Sequence, residues 1–185
     1  IVDKTQIVYL DYNGGENVME EFEVPPFDIT EINPRIMNND EAKEIITGMV
    51  RDHYSNYPGM RIISSDEQAE PTESHSTVYI GNLYNAGLFG LGDAFDTWNL
   101  NREENAVVFG LAFSDLSDDA VSNDAFLQTI ASTIAHEIGH NLGLFHTTGG
   151  GAGATMGIDW LERHDLLLEG GTVRFKRAQV VGLSE

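Results

Sequence analysis

His136-Glu137-Ile138-Gly139-His140-Asn141-Leu142-Gly143-Leu144-Phe145-His146 decides how the rest of this chain is read. On a helix, His136 and His140 stand one turn apart on the same face. Their imidazoles are then close enough to share one zinc ion at ~2.0–2.1 Å. Glu137 projects to the side, where a carboxylate reaches a water on the metal without taking a ligand position. His146 cannot join by continuing the helix, because the rise of ~1.5 Å per residue would carry it ~15 Å along the axis from His136. The chain must turn back, and Gly143 is where it can, since glycine enters the left-handed conformation that ends helices without steric cost. Three histidines leave the fourth zinc position to water, the pattern of a catalytic rather than a structural site. A His-rich amphipathic helix is the alternative, and it leaves the fixed register of these residues unexplained.

The flanking sequence supplies the helical setting that the motif needs. A helix is expected from about Asp119 to Leu142, with an apolar stripe of Leu127, Ile130, Ala131, Ile134, Ile138 and Leu142. That stripe has the spacing of a helix packed on a sheet, and the histidines lie off it, so they are expected to face a cleft. Upstream, Thr5 to Tyr12 reads as a first strand, ended by Asn13-Gly14-Gly15, and a polar, proline-containing passage runs to Pro34. Asn39 or Asp40 can cap a helix through about Tyr54, with Ile45, Ile46, Met49 and Val50 at helical spacing. Met60–Ser64 and Ser76–Gly81 read as further strands around an acidic loop, and Ala106–Phe113 as a strongly apolar one. Strands alternating with two helices predict an α/β (α+β) chain whose mostly parallel sheet carries the helices.

Beyond His146, Met156 in Ala154-Thr155-Met156-Gly157 is the only later methionine. Alone, a core-filling Met is the better account of it. After H-E-x-x-H-x-x-G-x-x-H it completes a pattern that resembles the metzincins, zinc endopeptidases whose motif is followed by a Met-turn. Thr147, after the third histidine, is similar to matrixin-like members, while Ala135 to Gly143 also reads like the adamalysin version, and this stretch does not separate the two. Astacins and serralysins place a tyrosine ligand two residues after the Met. Here that position is Ile158, so the resemblance implies three His plus water. It is specific over Ala135 to Gly157 and architectural elsewhere.

The resemblance implies a single catalytic domain with a twisted, mostly parallel five-stranded sheet, an antiparallel edge strand, two main helices and a small C-terminal subdomain ending in a helix. Residues 1–143 would form the upper subdomain with the active-site helix. Residues 144–185 would form the lower one, with His146, Met156 and a last helix near Val173 to Val181. The candidate for the edge strand is Ala86-Gly87-Leu88-Phe89-Gly90-Leu91-Gly92. As a rim strand it would offer backbone groups around Leu88, Phe89 and Gly90 to an extended peptide. An ordinary glycine-rich loop accounts for that composition equally well. Ile158 and Trp160 are candidates for the wall of a substrate pocket, and simple packing is at least as good an account of Trp160.

Composition sets the remaining bounds. A chain of 185 residues suits one domain with a sizeable core. It starts at Ile1 with no signal peptide, as expected of a processed product, and no apolar run is long enough to span a membrane. The absence of cysteine excludes disulfides and favours a microbial source. Thirty acidic against ten basic residues give a net charge of −20, which repels nucleic acid and anionic membranes. A solvated acidic surface is the plain account; adaptation to high salt, suggested by only three lysines, and Ca2+ sites are the others. The clusters Asp115 to Asp119 with Asp124, and Asp93, Asp96 and Asn99, do not match the EF-hand spacing, and helix capping suits the first better.

The function expected is hydrolysis of internal peptide bonds by one Zn2+ held by His136, His140 and His146, with Glu137 as general base and then acid. Two other classes remain open: a catalytically idle zinc- and peptide-binding module, and a zinc hydrolase of a non-peptide amide. The expected partner is a protein or peptide substrate, with no nucleic acid, no membrane insertion and a monomeric chain. A secreted location is implied by the resemblance alone.

Overall fold

The computed structural model describes residues 5–57, 59–93, 101–117 and 121–142. In chain order these form β1 (Gln6–Asp11), a hairpin of β2 (Gly15–Val18) and β3 (Phe22–Val24), the one-turn helix α1 (Ile29–Ile32) and α2 (Asn39–His53). Then come β4 (Met60–Ser64), β5 (Ser76–Gly81), β6 (Gly90–Gly92), β7 (Asn105–Phe109), a 3-10 turn at Gly110–Leu116 and α3 (Asn123–Asn141).

Strand β1 shows how the sheet is buried. Its alternate residues Val8 and Leu10 enter one core with α2 and α3, while Ile7 and Tyr9 pack with Ile63 on the opposite face. Burial on both faces is what a parallel strand requires, and it explains the near-continuous apolar run of Ile7 to Leu10. Among the described residues one sheet has five strands in the order β4-β1-β5-β7-β6. The first four are mutually parallel, and β6 runs antiparallel to β7, with Gly90 opposite Val108 and Gly92 opposite Ala106. The expected sheet and its antiparallel edge are both present.

Both long helices lie on the face that carries Val8, Leu10, Val78 and Val108. Helix α3 is the centre of that layer: Ile130, Ile134 and Ile138 of its stripe are fully buried, and so are Phe126 and Ala135 outside it. Threonines inside so dry a helix satisfy themselves. Thr129 donates to the carbonyl of Ala125 at 2.9 Å and Thr133 to that of Thr129 at 3.0 Å. Helix α2 is tied to α3 by Tyr54, whose hydroxyl donates to the Ala135 carbonyl at 2.7 Å. Burial pushes this phenol well above its usual range, so it stays protonated and able to donate.

Four sequence expectations are corrected. Asn38, not Asn39 or Asp40, caps α2 by accepting from the Glu41 amide at 3.2 Å. The Asn39 side chain instead accepts from Ile29 N at 2.8 Å and donates to Phe27 O at 3.1 Å, which fastens α1 to α2. The passage before Pro34 holds the β2–β3 hairpin and α1, elements too short for periodicity to reveal. The strand expected through Phe113 stops at Phe109, where β5 runs out of partners, and the apolar run continues as the 3-10 turn. Finally, α3 starts at Asn123 behind a Ser122 cap, with Asp124 in its first turn, and not near Asp119. The subdomain of residues 144–185, with its last helix, lies outside the described residues.

Replacing Tyr54 with Phe removes the tie between α2 and α3 and leaves the shape of the ring. Stability should fall by about 0.5–1.5 kcal/mol in equilibrium urea unfolding, the net worth of one buried hydrogen bond. An unchanged midpoint would mean the bond contributes nothing.

Candidate active site

The last two turns of α3 carry His136, Glu137 and His140. The one-turn spacing brings the two imidazoles together: their Nε2 atoms are 3.1 Å apart, ring centroids 4.7 Å apart, with the ring planes at 86°. Two nitrogens bound tetrahedrally to one zinc at ~2.0–2.1 Å would lie ~3.3 Å apart, so the observed pair fits a shared metal ion. Both side chains are largely withdrawn from solvent, at 8% exposure for His136 and 7% for His140, and Glu137 is at 4%. The sequence placed the histidines in a cleft because they lie off the apolar stripe. In the structure they are largely withdrawn from solvent, with β6 laid along that side of α3.

Part of the enclosure is β6. A Cβ built on Gly90 would come within 2.4 Å of Glu137 Oε1, and one on Gly92 within 3.2 Å of His140 Cβ. The glycine-rich segment proposed as a rim strand therefore crosses directly over the helix that carries the motif. Within it, strand pairing starts at Gly90. Phe89 is held by its carbonyl, which accepts from Phe109 N at 2.9 Å, and by its ring, which packs 4.8 Å from that of Phe113. That packing leaves the Phe89 ring half-buried. Leu88 remains 45% exposed.

Sequence reasoning missed the neighbours of Leu88. Tyr84, 57% exposed, joins Asn85, Leu88, Phe89, Ala112 and Asp115 around a surface pocket. Nothing in Leu83-Tyr84-Asn85 announces this, because the pocket is assembled across the 3-10 turn. Asn141 was also passed over. It is buried beside His140 and donates from Nδ2 to the Glu104 carbonyl at 3.3 Å, fixing the helix end to the start of β7.

His146, Met156, Ile158 and Trp160 lie outside the described residues, as do Gly143 and, among the acidic candidates for Ca2+, Asp96, Asn99, Asp118 and Asp119. Among the described residues no group of three His, Asp or Glu side chains is arranged to hold a metal. What they contribute is the His136–His140 pair. Of the other histidines, His75 lies against Glu70 at 3.0 Å and edge-on to Tyr9, and His53 lies 3.3 Å from Gln128 Nε2.

The model of the metallopeptidase family M12B, Reprolysin-like, matches residues 37–147, from the start of α2 to just past His146. Among solved structures, the chain is similar to an archaemetzincin from Methanopyrus kandleri, with 15% identity, a TM-score of 0.53, and 97% of this chain and 93% of that one covered. It is also similar to a zinc-dependent peptidase from Methanocorpusculum labreanum, with 13% identity, a TM-score of 0.52, and 96% and 100% covered. At such identities the likeness is one of fold. No curated protein matches the sequence. The family match spans more than half of the chain and contains both the paired histidines and the strand laid over them; the chain belongs to the Reprolysin-like M12B metallopeptidases.

Proposed function

We propose that the chain is a zinc-dependent endopeptidase that hydrolyses internal peptide bonds of protein substrates. The observation that carries this is the 3.1 Å approach of His136 and His140 Nε2, with Glu137 between them in sequence and β6 across them. His146 is the third ligand in this reading, and Met156 belongs to the Met-turn that follows it in sequence. Zinc, when bound, supplies a Lewis acid that polarises the scissile carbonyl and acidifies water to a pKa of roughly 7.

The chain's own groups do the rest. His136 and His140 present Nε2 to the ion, one helical turn apart on a rigid support. Glu137 accepts a proton from the attacking water and hands it to the nitrogen of the leaving amine, which would otherwise have to depart as an amide anion. The outer side of β6 receives the substrate as an added strand, and Leu88 stands at the rim. Ile158 and Trp160 line the pocket that selects the side chain next to the cleaved bond.

The division into an upper part, 1–143, and a lower part, 144–185, belongs to the same proposal, as does secretion of a monomer. Ca2+ has no further support. The net charge of −20 points to basic or neutral substrates. A catalytically idle peptide-binding module is disfavoured by the presence of Glu137, and a non-peptide amide by an edge strand suited to extended peptides.

Glu137→Ala should keep one zinc per chain by metal analysis while cleavage falls by roughly 10²–10⁴. Near-normal turnover in that variant would overturn the assignment of the base. A mixed-protein digest with and without a chelator separates the peptidase from the other two classes: cleavage that stops on chelation supports the peptidase, and an unchanged protein pattern in both arms counts against it. Trp160→Ala should alter the preferred residues around the cleaved bond. An unaltered cleavage profile removes Trp160 from the pocket.

A further inference from the structure

Gly90 is a glycine in a place where the backbone does not ask for one. Positive φ among the described glycines occurs at Gly14 and Gly87, not at Gly90, so an alanine could adopt its conformation. A glycine inside a strand otherwise weakens it, and close approach by another group is the usual reason for keeping it. Here the approaching group is the Glu137 side chain. A Cβ on Gly90 would lie 2.4 Å from Oε1 and 2.6 Å from both Cδ and Cγ, well inside the ~3.5–4.0 Å of ordinary contact. Overlap with Cγ matters most, because a turn of the carboxylate alone cannot relieve it.

Neither backbone can step back, so relief has to come from the Glu137 side chain. Strand β6 is fixed along β7 by the pairings of Gly90 with Val108 and Gly92 with Ala106, and its flanks by Phe109 N to Phe89 O at 2.9 Å and Asp93 N to Asn105 O at 2.8 Å. Helix α3 is held from behind by its buried isoleucines. The alternation of the strand is consistent with this arrangement: Gly90 and Gly92 turn to α3, and Leu91 packs on the other face with Val107 and Phe109. A Cβ on Gly92 would lie 4.0 Å from Glu137 Oε2, so the carboxylate rests along both glycines.

We infer that Gly90 is a positioning residue for Glu137: its missing side chain is the seat of that carboxylate, and the edge strand dictates the rotamer in which Glu137 meets the reacting water. The inference rests on the reading of Glu137 as the base. It also makes the strand that would receive substrate the strand that aims the base.

The test is a double cycle of Gly90→Ala and Glu137→Ala in the full chain. With Glu137 present, Gly90→Ala should leave zinc content unchanged and lower kcat by about 10²-fold, the scale of an ångström of misplacement, with little change in KM. With Glu137→Ala it should not alter the residual rate. In metal-free protein, thermal melts should show Gly90→Ala lowering Tm when Glu137 is present and not when Ala replaces it. Equal Tm shifts in both backgrounds, or an unaltered kcat in Gly90→Ala, would overturn the inference. Failure of the functional reading looks different: Glu137→Ala itself would retain turnover while the melts still coupled.

Discussion

Two imidazoles and a carboxylate sit on a helix that is closed to water on almost every side, and the rest of the structure answers to that. Groups of this kind lose hydration when buried, at a cost of several kcal/mol for a lone ion, so they require partners or a metal. The helix can carry them because Ile130, Ile134 and Ile138 are each fully buried on its other side, contributing roughly 1.5–3 kcal/mol apiece. Apolar burial holds α3 in place. The polar turns at its end are then presented without freedom to turn away.

Rigidity reaches the site from three directions. Tyr54 of the α2 terminus bonds the carbonyl just before His136, and Asn141, just after His140, bonds the start of β7. Strand β6 lies across Glu137 with no side chain to hold it off. Each contact fastens a different neighbour to the same two helical turns. A metal centre gains from this, because ligands held in one orientation lose little entropy on binding.

The central part of the fold was legible in the sequence because its periodicities are strong. Met60–Ser64 and Ser76–Gly81 were read at their observed limits, and the apolar stripe of α3 was read residue by residue. Failures fell where a short element or a shared apolarity hides the period. The β2–β3 hairpin and α1 have three or four residues each, and Gly110–Leu116 is as apolar as the strand before it. At the site, the one-turn pairing of His136 with His140 follows from helical geometry, whereas their burial does not. Amphipathicity predicts which face meets the sheet and says nothing of what covers the other.

The sequence by itself determined that α3 would form, that it would pack through Ile130, Ile134 and Ile138, and that His136, Glu137 and His140 would share its end. Those are consequences of spacing within one helix, where neighbours in space are neighbours in the chain. Only the tertiary structure decided that Gly90 and Gly92 lie against Glu137 and His140, that Tyr54 ties the helix from behind, and that Phe89 turns inward to Phe113. Such contacts join residues tens of positions apart. Their partners are chosen by the order of strands in the sheet, which no local pattern encodes.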